Sequence, residues 1–413
     1  MAKKLNSVLG IDIGSRKIKI AEVRGQGNSP TISALGMIDT PEGAVDHTGV
    51  YNADAVAAAL KQVCVQSGVS VSDAVVSIAG QASVLVRTLE VPRMNPAELN
   101  EHMQWEISRN IPFAESTVVS DFKPLEDEDP SSQNMDVVMA ISPQSAVDTL
   151  MSCVRKAGKH LSAIDVEPLG IARSLKVSYD DGASKEIVCV VDVGHKTTAI
   201  NIYRGTKLLM PRQVPIGGEM FTTAIADALT IPVAEAETLK QEKAEIPDNA
   251  GTAPAANPFA APGAETQAFT PYNPFAEEPA APAVADAPVG GETQAMPSPQ
   301  PAANVPAVAG DPEVIRLYNA MSSVLDEFCT EIRRSLDYFR SKGGDVGRIS
   351  LCGGGARLRG LPEYLARALA LPCEMYDPMR HINLSAKKVT HEFVEEHSQE
   401  FAVAVGNGLH IFF

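Results

Sequence analysis

Cysteine is scarce in this chain: six in 413 residues, at positions 64, 153, 189, 329, 352 and 373, with no Cys-x-x-Cys pair. Such spacing argues against a zinc site or a redox dithiol and predicts isolated, reduced thiols, Cys189 among them in an apolar strand. No run approaches the ~18 consecutive apolar residues of a membrane span. Lys3 and Lys4 precede an apolar run that Asp12 interrupts, so no signal peptide is expected and the chain reads as cytoplasmic. Gly-x4-Gly-Lys-Ser/Thr is absent, which excludes a P-loop. Positive charge is short too: 35 Lys and Arg face 51 Asp and Glu, a net charge of −16, against non-specific nucleic-acid binding. Aromatics are only 5% of the chain, and its one tryptophan, Trp105, is expected in a core.

One short pattern is present twice. Val8-Leu9-Gly10-Ile11-Asp12-Ile13-Gly14 returns as Val188-Cys189-Val190-Val191-Asp192-Val193-Gly194. Unbroken aliphatic runs suit strands buried on both faces. An Asp-x-Gly ending suits a hairpin whose backbone must come close to something else. Two such tips facing each other could hold a polyphosphate and its metal ion.

The chain is long enough for roughly two to four domains. Its first stretch reads strand, strand, strand, helix (Ala53 to Ser67), strand (Ala74 to Gly80). From Val84 to Ile164 an α/β insert is predicted. It has a proline-opened helix at Met94 to Glu98 running on through Trp105, strands at Val118–Pro124 and Val137–Ile141, an acidic turn at Glu126–Asp129, and a helix from Ser145 to Gly158. Strands resume at Ile187 and at Met210–Ile216, before a helix carrying Phe221, Ile225 and Leu229. Residues 247–312 hold nearly half of the 29 prolines, seven acids and no Lys or Arg, a composition expected to be disordered. Asn257-Pro258-Phe259-Ala260 recurs there at 273–276, as drift in a tether or as a docking motif. Beyond it come a helix from Glu313 to Arg340, a strand at Arg348–Cys352, a loop at Gly353-Gly354-Gly355, and helices at Leu361–Leu369 and Phe401–Gly406.

A triphosphate with Mg²⁺ needs backbone N–H groups aimed at its oxygens and carboxylates that hold the metal's waters. Gly14, Ser15, Arg16 and Lys17 form one candidate loop; Gly194, Lys196 and Thr197 form the other, with His195 beside it. Asp12 and Asp192 are the candidate Mg²⁺ carboxylates, through water. Gly217, Gly218 and Gly353, Gly354, Gly355 offer bare backbone against which a base or ribose could lie. Glu167, between the repeats, is read either as a solvated helix-start carboxylate or as the group that orients water on the γ-phosphate.

This order of motifs resembles the actin, Hsp70 and sugar-kinase superfamily. More narrowly it resembles the PilM family, actin-like cytoplasmic proteins of type IV pilus assembly related to FtsA. The matching stretches are Gly10 to Ser15, Trp105-Glu106 with Ile111-Pro112-Phe113, Ile216 to Glu219, Ala236 to Lys240, Cys352 to Ala356 and Phe401 to Gly406. The resemblance implies a two-lobed α/β, actin-like ATPase fold with duplicated βββαβα-type domains. It assigns 1–83 with 165–187 to one lobe, 188–246 with 313–413 to the other, and 84–164 to an FtsA/PilM-type inserted subdomain. It implies ATP and Mg²⁺ as cofactors, Glu237 and Lys240 bordering the adenosine, and slow or absent hydrolysis. It implies a groove beside the insert for the cytoplasmic N-terminal peptide of a PilN-type inner-membrane protein, possible self-association, and membrane contact only through partners. Arg16 and Lys17 depart from the Ser/Thr-rich loop of actin-like kin, and the 247–312 insert has no counterpart in the family pattern. Two other readings are an FtsA-like division or filament protein and a small-molecule kinase or true ATPase. FtsA kin end in an amphipathic membrane helix, whereas this chain stops at Ile411-Phe412-Phe413; a kinase needs a catalytic base that 84–164 does not supply.

Overall fold

The computed structural model describes residues 6–26, 29–114, 117–125, 131–179, 186–248 and 311–413. The chain runs β1 (Ser7–Ile13), β2 (Lys17–Gln26), β3 (Ser29–Asp39), α1 (Ala53–Ser67), β4 (Asp73–Ile78), β5 (Leu85–Pro92), α2 (Pro96–Arg109), β6 (Val118–Pro124) and β7 (Asn134–Pro143). It continues through α3 (Gln144–Lys156), β8 (His160–Val166), α4 (Glu167–Tyr179), β9 (Ile187–Val193), β10 (Thr198–Arg204), β11 (Lys207–Val214), α5 (Gly218–Leu229) and α6 (Val233–Lys243). The last stretch is α7 (Pro312–Ser341), β12 (Arg348–Cys352), α8 (Leu361–Leu369), β13 (Cys373–Met375), β14 (Asn383–Leu384), α9 (His391–His397) and α10 (Ala402–Gly408).

Two lobes repeat one plan. The first sheet has the order β14-β3-β2-β1-β4-β8 and the second β11-β10-β9-β12-β13, so β1 with its antiparallel hairpin partner β2 matches β9 with β10. The apolar repeats become the central strands: β1 is buried from Val8 to Ile13, and Val188 to Val191 are buried in β9. Helix starts follow local chemistry. The Asn52 side chain caps α1, Asn95 and Glu98 form a reciprocal capping box at the start of α2, and Asp311 caps α7.

Helices α4 and α10 lie between the two sheets. Their residues Ile171, Leu175, Ala402 and Val403 share a core with Val190, Tyr203 and Cys352 of the second lobe. Crossing this close requires bare backbone: a Cβ on Gly406 would lie 1.9 Å from the Gly170 carbonyl oxygen, and one on Gly10 would lie 2.0 Å from that of Ala404.

The domain limits read from sequence are redrawn. The inserted unit is a three-stranded sheet, β5-β7-β6, covered by α2, and it ends at Pro143. Helix α3 packs with α1, and β8 pairs with β4, so both belong to the first lobe rather than to an 84–164 insert. Residues beyond β13, placed by sequence in the second lobe, return to the first. There β14 pairs with β3, and Phe401, Ala404, Val405 and Leu409 pack on Ala21 and Leu35.

The ends of the 247–312 stretch are folded: the Pro247 carbonyl accepts from Arg367, and Pro312 opens α7. The rest of it, with both Asn-Pro-Phe-Ala copies, and the acidic turn at 126–129 lie outside the described residues. All six cysteines are free thiols, five of them buried. Among the described residues no helix is long and apolar enough to cross a membrane.

Candidate functional site: an interlobe cleft

The two Asp-x-Gly hairpins face one cleft of about 1040 Å³ between the lobes. They turn in the same way. Gly14 N–H donates to the Lys17 carbonyl at 3.1 Å, and Gly194 N–H to that of Thr197 at 3.0 Å. A Cβ on either glycine would meet that same carbonyl oxygen, at 2.9 and 2.7 Å. The hairpin tip therefore requires glycine before any ligand is considered. Thr40 anchors the first loop by donating to the Gly14 carbonyl at 2.6 Å. The second loop is held by the start of α5, where Gly218 N–H and Glu219 N–H donate to the carbonyls of Gly194 and His195.

Ser15, Arg16, Lys17, Gly194, His195, Lys196 and Thr197 all line the cleft. Lys17 pairs at the rim with Asp39 at 2.7 Å, Lys196 with Glu219 at 3.3 Å, and Thr197 accepts from Gln213. Burial holds His195 below its usual range, against Glu219.

The cleft floor is a carboxylate cluster around one ammonium. Lys19 stands opposite Asp12 in the hairpin register and donates to its carboxylate at 2.6 Å. Burial works to discharge Lys19, but Asp12 together with the charges of Asp192 and Glu400 keeps it protonated, above the usual lysine range. Burial pushes Asp192 up to about 6, with Lys19 drawing it down and Asp12 and Glu400 driving it up. Glu167 is the first residue of α4, a half-buried helix-start acid that faces the cleft rather than the outer surface. It lines the cleft, and burial plus the charges of Asp12 and Asp192 push it up to about 8.

The glycines read as a surface for a base divide. Gly218 and Gly354 line the cleft. Gly217 is outside the lining; its Cβ would lie 2.4 Å from the His195 carbonyl, so it seats α5 on the second loop. Gly353 (φ +83°) and Gly355 also touch the cleft, but their Cβ atoms would lie 2.3 Å from Asp192 Oδ1 and 2.5 Å from Val193 Cγ1. Their small size is required by the end of β9. Glu237 and Lys240 line the cleft and pair at 2.8 Å, and Lys240 also donates to the Gly218 carbonyl. Burial would raise Glu237, but Lys240, Thr222 and Gln241 hold it down at about 2.

Sequence reasoning missed Lys19, Arg357 and Glu400. Lys19 was within reach, because folding the Gly14 hairpin back places it across from Asp12. Arg357 and Glu400 gave no local signal: 43 residues apart, they meet at 3.3 Å on the cleft wall, with His397 2.8 Å from Glu400. Trp105 was misread. It is 53% exposed on α2, with the Arg109 guanidinium 4.3 Å from its ring centre.

The donor set fits a hydrated magnesium nucleotide. Among the described residues no three His, Cys, Asp or Glu side chains gather closely enough to hold a metal by themselves. Mg²⁺ does not need such a cage, since it keeps several waters and takes one or two carboxylates plus phosphate oxygens. Asp12 and Asp192 together outnumber Lys19, and that surplus negative charge suits a cation. Arg16, Lys17 and Lys196 on the two loops suit the phosphates.

The family model for the type IV pilus assembly protein PilM matches residues 10–266, and that for the cell division protein FtsA matches residues 189–406. FtsA of Bacillus subtilis is 31% identical over 100 residues, 24% of this chain and 22% of that protein. FtsA of Pseudomonas aeruginosa is 26% identical over 260 residues, 56% and 60% of the two chains. The chain thus spans from about a fifth to 60% of the length of these relatives. A chain of the solved PilM-PilN type IV pilus biogenesis complex superposes with a TM-score of 0.75 at 25% identity, covering all of both chains. The fold is the actin-like two-lobed ATPase fold with an FtsA/PilM-type inserted subdomain, and the chain belongs to the type IV pilus assembly protein PilM family.

Proposed function

We propose that this protein is an ATP-binding scaffold of type IV pilus assembly that takes the cytoplasmic N-terminal peptide of a PilN-type inner-membrane protein, and so sits against the inner membrane through its partner. The observation that carries this reading is the continuity of the cleft. From the hairpin loops it extends into an arm of mixed character, where Val45, Tyr51, Phe113 and Pro143 line it together with His47 and Thr149. That arm lies between the first lobe and the inserted sheet, so a nucleotide and an extended peptide segment could occupy one cavity. The whole-length likeness to a chain of the PilM-PilN complex supports the choice of partner.

In this reading Asp12 and Asp192 hold Mg²⁺ through its waters, and Arg16, Lys17, Lys19 and Lys196 face the phosphates. Gly218, Glu237, Lys240 and Gly354 border the adenosine. When bound, the metal neutralises phosphate charge. Such a cation also draws Glu167 and Asp192 toward their ionised forms. Glu167, in the floor of the cleft, is the group available to orient a water for slow hydrolysis, and binding does not require it to act.

Calorimetric titration of Mg·ATP into wild type and Asp192→Ala, each with and without a synthetic PilN-type N-terminal peptide, tests the reading. ATP binding that the variant loses, with peptide affinity that depends on nucleotide, is the expected result. Peptide binding without ATP binding would make the loops structural only. Phosphate release at ~1 s⁻¹ or faster would favour the enzyme reading instead.

A further inference from the structure

The inserted sheet touches both lobes. Its edge strand β5 lies against β11, the edge strand of the second lobe, where the Thr88 hydroxyl donates to the Leu209 carbonyl at 2.8 Å. Beside it Lys207 pairs with Asp136 of β7 at 2.6 Å, and the Lys207 side chain is only 12% exposed. Beneath these polar contacts, Val86 and Val138 of the insert join the core that holds Tyr203 and Leu208 of the second lobe. On its other side, the insert's Phe113 and Pro143 line the cleft arm that Val45 and Tyr51 of the first lobe also line. The insert is joined by its chain to the first lobe alone, so its hold on the second lobe is entirely non-covalent.

We infer that this joint is a strut: rotation of the second lobe pulls the inserted sheet through Lys207–Asp136, Thr88–Leu209 and the apolar contact behind them, and so widens or narrows the cleft arm beside the insert. A half-buried ion pair beside an apolar seam resists shear better than an exposed pair, because water screens it less. This inference rests on the nucleotide-gated reading above, and it names the part that transmits the signal. Asp12 with its loop and Asp192 with its loop belong to different lobes, so a ligand touching both biases the lobe angle. The strut converts that angle into the shape of the arm.

The test uses two spin-label pairs in the full chain, in a Cys373→Ser background that removes the one cysteine that is not buried. Lys61→Cys with Glu327→Cys reports the lobe angle; Lys61→Cys with Asp121→Cys reports the insert. Each pair is measured with and without Mg·AMP-PNP, in the parent, in Lys207→Asp, in Asp136→Asn, and in the charge swap Lys207→Asp with Asp136→Lys. The expected result is that nucleotide shifts both distances in the parent and in the swap. In Lys207→Asp and Asp136→Asn the lobe distance should still shift while the insert distance does not. In the same variants the ATP–peptide coupling factor, typically 5–150-fold for coupled sites, should fall toward 1. An insert that follows the lobes in every variant, or stays fixed while the parent's lobes close, overturns the strut with the nucleotide reading intact. A lobe distance indifferent to nucleotide in the parent overturns both.

Discussion

Glu22 on β2 is the most heavily bonded acid in the first lobe, and its chemistry can be tested alone. Its side chain is 1% exposed and accepts from the Ser70 and Val71 amides, the Ser33 hydroxyl and Arg24. Burial opposes the charge, but these donors hold the carboxyl down at about 2. A carboxyl lowered by folding stabilises the protein above its unfolded value, near 4.5, and that contribution fades as pH falls from there toward 2. The shift corresponds to something on the order of 3 kcal/mol. Glu22→Gln should therefore unfold more easily than wild type at neutral pH, with a gap that closes as pH falls below about 4.5; urea unfolding across that range reads it. A gap of constant size would mean that the donors do not discriminate between the carboxylate and the protonated carboxyl. Glu22 also shows what sequence conceals at this scale. Its alternation with Ala21 and Val23 marks a strand, but its amide donors come from 48 and 49 residues away. Glu167 was hidden for the same reason, since the acids that set its environment lie on two other strands.

Elements were legible where their signal is local. The helices at Ala53–Ser67 and Leu361–Leu369 and the strands at Val118–Pro124 and Arg348–Cys352 fall where periodicity and flanking Asn, Pro and Gly place them. Packing assignments were less so. The pattern of α3 says that one face is apolar but not which helix covers it, and α10 is buried all round, with nothing local to distinguish the two lobes. The glycines of α10 carry the decisive information. Gly406 reads as a weak helix position until the Gly170 carbonyl is seen against it. Gly406→Ala must separate α4 from α10 and should cost about 1–3 kcal/mol or more, as other overpacked cores do. It should also blunt the response of lobe angle to nucleotide, because both helices lie between the sheets. Unchanged urea stability would show that the crossing is looser than its geometry.

At the scale of the molecule, the duplicated strand order explains why one pattern met twice in the sequence was enough to find the cleft. Each repeat supplies a hairpin tip, and the two tips line one cleft between the lobes. What sequence could not supply is the path from cleft to insert, because β5 and β11 meet only through the fold. The same arrangement decides how the protein unfolds. Both sheets share a core with α4 and α10, so the lobes should melt together. A ligand that grips both loops should raise that single transition. Mg·ATP at a hundred times its dissociation constant adds about 2.7 kcal/mol to the folded state. Differential scanning calorimetry should show one endotherm moving upward in wild type and standing still in Asp192→Asn, whose cleft floor has lost one carboxylate charge. Two endotherms, with nucleotide moving only one, would mean that the lobes are energetically separate. Lobe angle could then carry no signal from the hairpin loops to the cleft arm beside the insert, and the proposed gated scaffold would give way to two independent binding sites.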